Sequence, residues 1–242
     1  MREIEKISFC FVLVLVIINL NITELRAQAK PKNLPNYDLK VLHFGFTLGY
    51  NQFTSMLKVK DPIPDPEKVL GMNIESQHGF QVGVISDFKA FEYLRLRLLP
   101  TITFGDRKFN YSVIDSRGIN KIESTNIEAI YLEAPLEFKI QSKRWNNFRP
   151  YIIVGGKFAY DLASLKKKKI SQEDQLLRVD NIDWMYTTGV GFDFYLEYFK
   201  FGIELKSSFS FNNMIIPEAH KPYSNIIDKY RTQIFYINFT FE

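Results

Sequence analysis

The chain is poor in several residue types, and each scarcity removes a class of function. Its one cysteine, Cys10, lies inside the first apolar run, so a protein cut after that run has no thiol for a disulfide or a thiolate metal site. Only His43, His78 and His220 are available for acid–base or metal work, and none stands at ligand spacing to another histidine or to a carboxylate pair. No glycine-rich phosphate loop is present, because Gly155, Gly156, Gly189 and Gly191 fall within alternating segments. Neither sign of charge dominates: 31 Lys and Arg face 27 Asp and Glu, which gives nucleic-acid binding no electrostatic support. After Leu20 no apolar run is long enough to cross a membrane as a helix. Ala-rich and Leu-rich helical stretches are scarce as well, whereas Phe (22) and Tyr (13) are plentiful, which favours strands.

What is present begins with a leader. Arg2 and Lys6 precede an apolar run from Ile7 to Leu20 and then Ala27-Gln28-Ala29, the pattern of a secretory signal peptide with a small-residue cleavage site. The same run read as a membrane anchor is short for a span. The expected organisation is a signal peptide over 1–29, a short periplasmic tail over 30–40 and one domain over 41–242. An exported domain without disulfides needs a large core or a sheet closed on itself.

Alternation supplies the sheet. In LRLRLLPTITF, Leu94, Leu96, Leu98, Pro100, Ile102 and Phe104 fall on one face, and Arg95, Arg97, Leu99, Thr101 and Thr103 on the other. Either the apolar face packs on a soluble core, or it meets lipid and the arginines point into a barrel. Seven further segments alternate similarly, around Leu42–Asn51, Phe80–Val84, Ile130–Ile140, Tyr151–Asp161, Trp184–Leu196, Ile203–Asn212 and Phe235–Phe241. Links around 88–93, 142–148 and 197–200 are short. Those around 53–78, 106–126, 163–181 and 213–231 are long. Strict sorting of short and long links is a property of outer-membrane barrels, not of sandwiches. The expected fold is therefore an all-β, eight-stranded, antiparallel, up-and-down transmembrane β-barrel, with short periplasmic turns and long external loops. Its inward face carries Arg95, Arg97, Lys139, Lys157 and Lys206 against Glu133, Glu137, Asp161, Asp193 and Glu204, equal numbers of each sign. A neutral ion network is expected there, with Arg95 and Arg97 opposite Glu137, and an interior filled by side chains with no aqueous pore.

Read in order, HFGFTLGYNQ from His43, GFQVGVISD from Gly79, LRLRLLPTITFGDRKFNY from Leu94, LEAPLEFKIQSKRWNNFRPYIIVGGKFAYDLAS from Leu132, GVGFDFYLEYFKFGIELKSSFSFNN from Gly189 and IDKYRTQIFYINFTFE from Ile227 resemble the PorT family. That resemblance implies a small outer-membrane barrel of Bacteroidetes that assists the type IX secretion system, which exports proteins bearing a C-terminal sorting domain. It implies no catalytic residues and no cofactor. The expected partners are outer-membrane lipid and other type IX proteins, with no small-molecule substrate. KDPIPDPEKVL from Lys60 and the tetralysine loop depart from the family pattern.

Two surface clusters each carry two readings. Lys143, Arg144, Trp145 and Arg149 on a periplasmic turn suit either a protein-partner contact or an interfacial aromatic girdle. Lys166, Lys167, Lys168 and Lys169 suit either lipopolysaccharide phosphates or a solvated loop tip. Two competing functions follow from the same barrel. One is a generic envelope-stabilising or surface ligand-binding barrel; the other is a lipid A-modifying hydrolase, which would depend on His43.

Overall fold

A computed structural model describes residues 31–60, 69–114, 120–163, 180–214 and 227–242. The expected signal segment 1–29, residues 61–68 of the first long link and Lys166–Lys169 lie outside the described residues. The described strands are β1 (Leu42–Val59), β2 (Val69–Glu75), β3 (Gln77–Lys89), β4 (Leu94–Leu98), β5 (Thr101–Ile114), β6 (Asn120–Gln141), β7 (Phe148–Asp161), β8 (Ile182–Tyr195), β9 (Lys200–Ser210) and β10 (Ile227–Phe241). They make eight staves, because β2 and β3 are halves of one stave broken at Ser76, and β4 and β5 are halves of another. Every pairing is antiparallel, and β1 closes the ring by pairing with both β10 (Phe46 opposite Phe241) and β3 (Leu42 opposite Phe88). Closure satisfies the backbone without an edge, as an apolar surround requires.

The break between β4 and β5 has a chemical cause. Pro100 has no N–H to give the ladder, and the Leu99 N–H donates to the carbonyl of Pro135 on β6.

Alternation decides which face goes where. Phe44, Phe80, Val84, Ile152 and Leu205 point outward and are exposed, Phe44 by 67%. Stacked pairs such as Phe46–Phe241 and Phe80–Phe104, each with centroids 4.8 Å apart, pave the same outer face. Inside lie the charged residues of the ion network and, nearer the long-loop end, an apolar layer of Phe53, Ala129, Tyr131, Ala159, Met185, Ile234 and Tyr236. Small residues make room where a large neighbour crosses the lumen. A Cβ built on Gly191 would stand 2.5 Å from the Tyr151 ring. Gly191→Leu is therefore expected to displace Tyr151 and destabilise the barrel by about 1–3 kcal/mol, the usual range for overpacking. A lower temperature for loss of the compact band on a heat-modifiability gel is the check.

Described turns over 90–93, 142–147 and 196–199 share one end, and the links at the other end are longer with one exception, the five residues that separate β5 from β6. Two of the long links are shorter than expected. β1 runs to Val59 and β2 begins at Val69, so much of the 53–78 segment is strand; likewise β5 reaches Ile114 and β6 starts at Asn120, so most of 106–126 is strand. These outer portions extend past the apolar belt. There both faces are wet and the two-residue apolar period fades although the strand continues.

Candidate functional site at the short-turn mouth and in the lumen

The structure places all ten expected lumenal charges inside the barrel, and each is buried. Arg97 Nη1 lies 2.6 Å from Glu204 Oε1, Lys206 Nζ 2.9 Å from Glu137 Oε1, Lys157 Nζ 2.9 Å from Glu133 Oε1, and Lys139 Nζ 2.7 Å from Asp193 Oδ2. The partners differ from those expected at two arginines. Glu137 stands opposite Arg97 in the ladder but takes Lys206, while Arg97 reaches across the lumen to Glu204 and lies 3.8 Å from Glu242 Oε1. Arg95 pairs with Asp87 at 2.6 Å. The stagger of a tilted barrel brings staves distant in sequence to one level, so ladder register alone does not choose the partner.

Sequence reasoning missed Asp87, Lys200, Glu242, Arg107 and Asp183. Lys200 bridges Glu242 at 3.0 Å and Asp193 at 3.7 Å; Asp87, Lys200 and Glu242 sit at stave ends next to turns, where alternation is short. Arg107 fell within an expected loop. It is buried beside Asp161, with its guanidinium 5.1 Å from the Tyr131 ring. Aromatic groups complete the packing: Tyr151 donates to Glu204 at 2.8 Å and lies 3.7 Å beneath Lys139 Nζ, and Lys157 also reaches the Tyr236 hydroxyl at 2.6 Å. The hollow lined by Gln81, Glu133, Glu137, Lys157 and Lys206 measures about 10 Å³, room for about one water.

The short-turn mouth is closed by the chain itself. The segment 33–40, expected as a short tail, packs across the opening. Asn33 N–H donates to Asn147 Oδ1 at 2.9 Å, and the Asn33 amide donates to the Tyr195 carbonyl at 2.9 Å. A single 3-10 turn, Tyr37–Leu39, then stacks the Tyr37 ring on His43 with centroids 3.8 Å apart and sends the Tyr37 hydroxyl to Glu242 Oε2 at 3.0 Å. His43 is thus a packing partner beneath this cap.

Arg144 and Arg149 belong to the same cap and are buried, which corrects their place on an exposed contact surface. Arg144 donates to the carbonyls of Asn33, Leu34 and Asn146, and its guanidinium lies 3.6 Å over the Tyr195 ring. Arg149 Nη1 meets Asp38 Oδ1 at 2.9 Å. Lys143 and Trp145 from the same turn are exposed, Trp145 by 81%. Leu34 holds a left-handed φ of 48°, a conformation rare outside glycine that persists only where the surroundings impose it, here through Tyr37 N–H and Arg144 on its carbonyl.

Partial burial pushes the Asp38 pKa up, but the guanidiniums of Arg149 and Arg144 outweigh it and hold the carboxyl below its ordinary range. A depressed carboxylate stabilises the docked cap above its unfolded pKa, and that contribution is lost as pH falls below about 4. A spin label on Asn36→Cys is expected to be immobile at neutral pH and to gain mobility in acid; equal mobility at both would refute the Asp38 clamp.

Among the described residues no group of three or more His, Cys, Asp or Glu side chains gathers as a metal-ligand set. His78 hydrogen-bonds the Tyr50 hydroxyl on the outer face, at the end of β3 opposite to Lys89 and the capped mouth, and His220 lies outside the described residues.

The model of the outer membrane protein beta-barrel domain family matches residues 26–215. The chain belongs to that family. Its place is accordingly the outer membrane, with the apolar outer face in lipid, the short turns in the periplasm and the long loops outside. No curated protein matches the chain. Among solved structures, the outer membrane protein OprG from Pseudomonas aeruginosa is similar, at 13% identity and a TM-score of 0.46, covering 87% of this chain and 96% of its own. The attachment invasion locus protein Ail of Yersinia pestis, solved with the heparin analogue sucrose octasulfate, is similar at 12% identity and a TM-score of 0.36, covering 84% of this chain and 98% of its own.

Proposed function

We propose that this outer-membrane barrel is a non-enzymatic, PorT-like component that assists protein export by the type IX secretion system, acting through protein contacts at its rims. The observation that carries a contact role is the filled interior: paired charges, an apolar layer and the cap over the periplasmic mouth occupy the route a solute would take. Resemblance of the alternating segments to the PorT family supports the export assignment. Lys143 and Trp145, exposed on the periplasmic turn, are the first candidates for the contact. Deletion of the gene is expected to leave cargo bearing a C-terminal sorting domain trapped in the periplasm. Normal export in the deletant, with a leaky envelope, overturns this reading in favour of an envelope-stabilising barrel. Crosslinking from Trp145 in live cells identifies the partner.

A further inference from the structure

Toward the long-loop end, the outer face of the wall formed by β8, β9, β10 and β1 changes character row by row. Ladder partners set the rows. Val190, Leu205, Ile237 and Tyr50 lie side by side across the four staves, and Thr188, Ser207, Phe235 and Gln52 form the next row toward the outside. A shallow groove of about 420 Å³ runs along these two rows. Phe209 and Gln233 follow, with Tyr186 stacked on Phe209 at 5.1 Å, an aromatic ledge of the kind that marks the membrane interface. Arg231, opposite Met56, stands one row higher, and Lys229, opposite Lys58, one row higher again. From the belt outward the wall thus presents apolar side chains, hydroxyls with an amide, aromatics and then cations.

The three cations are exposed and project outward, because their neighbours Tyr230 and Thr232 on β10 are buried in the lumen. Like charges directly opposite each other on a ladder repel. Lys58 and Lys229 form such a pair, and the Asp228 carboxylate at 3.6 Å from Lys58 offsets only one of them; among the described residues no carboxylate pairs with Lys229 or Arg231. The wall on β5 and β6 differs: there Lys108 is paired with Glu75 at 2.9 Å, and Asp106 stands opposite Glu128. An anion is therefore drawn to the β1–β10 side, where a guanidinium fork and two ammonium groups suit a phosphate.

The polar row below asks for a partner too. Thr187 and Ser208 pair with each other in the lumen at 2.9 Å, whereas the side chains of their outward neighbours Thr188 and Ser207, and of Gln52, have no hydrogen bond to the protein among the described residues. At this depth they face lipid, where an unpartnered polar group is costly. Arg231 lies about 13 Å along the strand from Phe235, so cations and groove can be spanned by one lipid molecule.

We propose that this wall holds a phosphorylated glycolipid of the outer leaflet. Arg231, Lys229 and Lys58 take a phosphate of its headgroup, Gln52, Thr188 and Ser207 take the polar linkages of its acyl chains, and the groove over Val190, Leu205 and Ile237 takes one of those chains. The site is separate from the lysine run 166–169 and from the periplasmic rim, and it does not depend on the export assignment.

The purified full chain in detergent, titrated with diphosphoryl lipid A and followed by native mass spectrometry, provides the test. One lipid is expected to stay bound, about tenfold or more tightly than lipid A stripped of its phosphates. The triple variant Lys58→Gln, Lys229→Gln, Arg231→Gln is expected to lose that preference, with unchanged heat-modifiable migration showing that the barrel is intact. Lys108→Gln, which removes a cation from the β5–β6 wall, should leave the preference in place. Filling the groove with Thr188→Leu and Ser207→Leu should weaken the binding of both lipids. Equal retention of the two lipids by the wild-type chain, or a preference that survives the triple variant, overturns the proposal. Displacement of lipid A by millimolar inorganic phosphate, with no effect of the groove variant, overturns it as well, because the cations then serve a free anion.

Discussion

Arg97→Ala should lower the stability of the folded barrel by about 3–5 kcal/mol, the range for removing one partner of a buried ion pair. Arg97 is fully buried, and its loss leaves Glu204 without the guanidinium 2.6 Å away, with Lys206 at 3.3 Å as its remaining cation. Glu242 loses a neighbour as well, but Lys200 at 3.0 Å still holds it. The damage should therefore concentrate on Glu204 and on Tyr151, which donates to the same oxygen. The temperature at which the compact form disappears on a gel should fall clearly. The double replacement Arg97→Met with Glu204→Leu should recover much of the loss, since an apolar pair of similar volume avoids stranding a charge. A single variant with wild-type heat stability would mean that the side chain has access to water.

The second large effect is expected at the cap. Arg144→Ala removes hydrogen bonds to three carbonyls of the cap and its turn, together with the contact over Tyr195. Each hydrogen bond from a charged donor contributes about 1.5–3 kcal/mol, so the docked population of residues 33–40 should fall by at least tenfold even if only one of these is uncompensated. A thiol probe at His43→Cys, normally beneath Tyr37, measures this directly. Alkylation from the periplasmic side should accelerate in the Arg144→Ala background, while heat-modifiable migration changes little because the staves themselves do not depend on Arg144. An unchanged alkylation rate would show that Tyr37 and Asn33 hold the cap without the arginine.

The staves could be read from the sequence because lipid on one side and a packed polar lumen on the other force a period of two, as in Leu94–Leu98 and Ile130–Ile140. Beyond the apolar belt that forcing ends. Lys121-Ile122-Glu123-Ser124 continues β6 as strand while resembling a loop in composition. Membership of the lumenal network could be read in part, where a residue lies between two outward apolar neighbours as Arg95 and Glu137 do, but not at stave ends such as those of Asp87 and Lys200. Pairing within the network could not, because Arg97 and Glu204 lie 107 positions apart and meet only through the stagger of the staves. The cap left no periodic trace at all. Asn33, Tyr37 and Asp38 dock through individual hydrogen bonds, and Arg144, next to the exposed Trp145 in a basic turn, has the composition of a surface contact although its side chain turns inward.

A barrel filled as this one is should not conduct ions, and the proposed contact role at its rims requires that it does not. Electrical recording of the wild-type chain in a planar lipid bilayer tests it most directly. Insertion without conductance steps is the predicted result, because the ion network, the apolar layer and the cap leave no continuous water path. A sustained open-channel current from the folded barrel would contradict it.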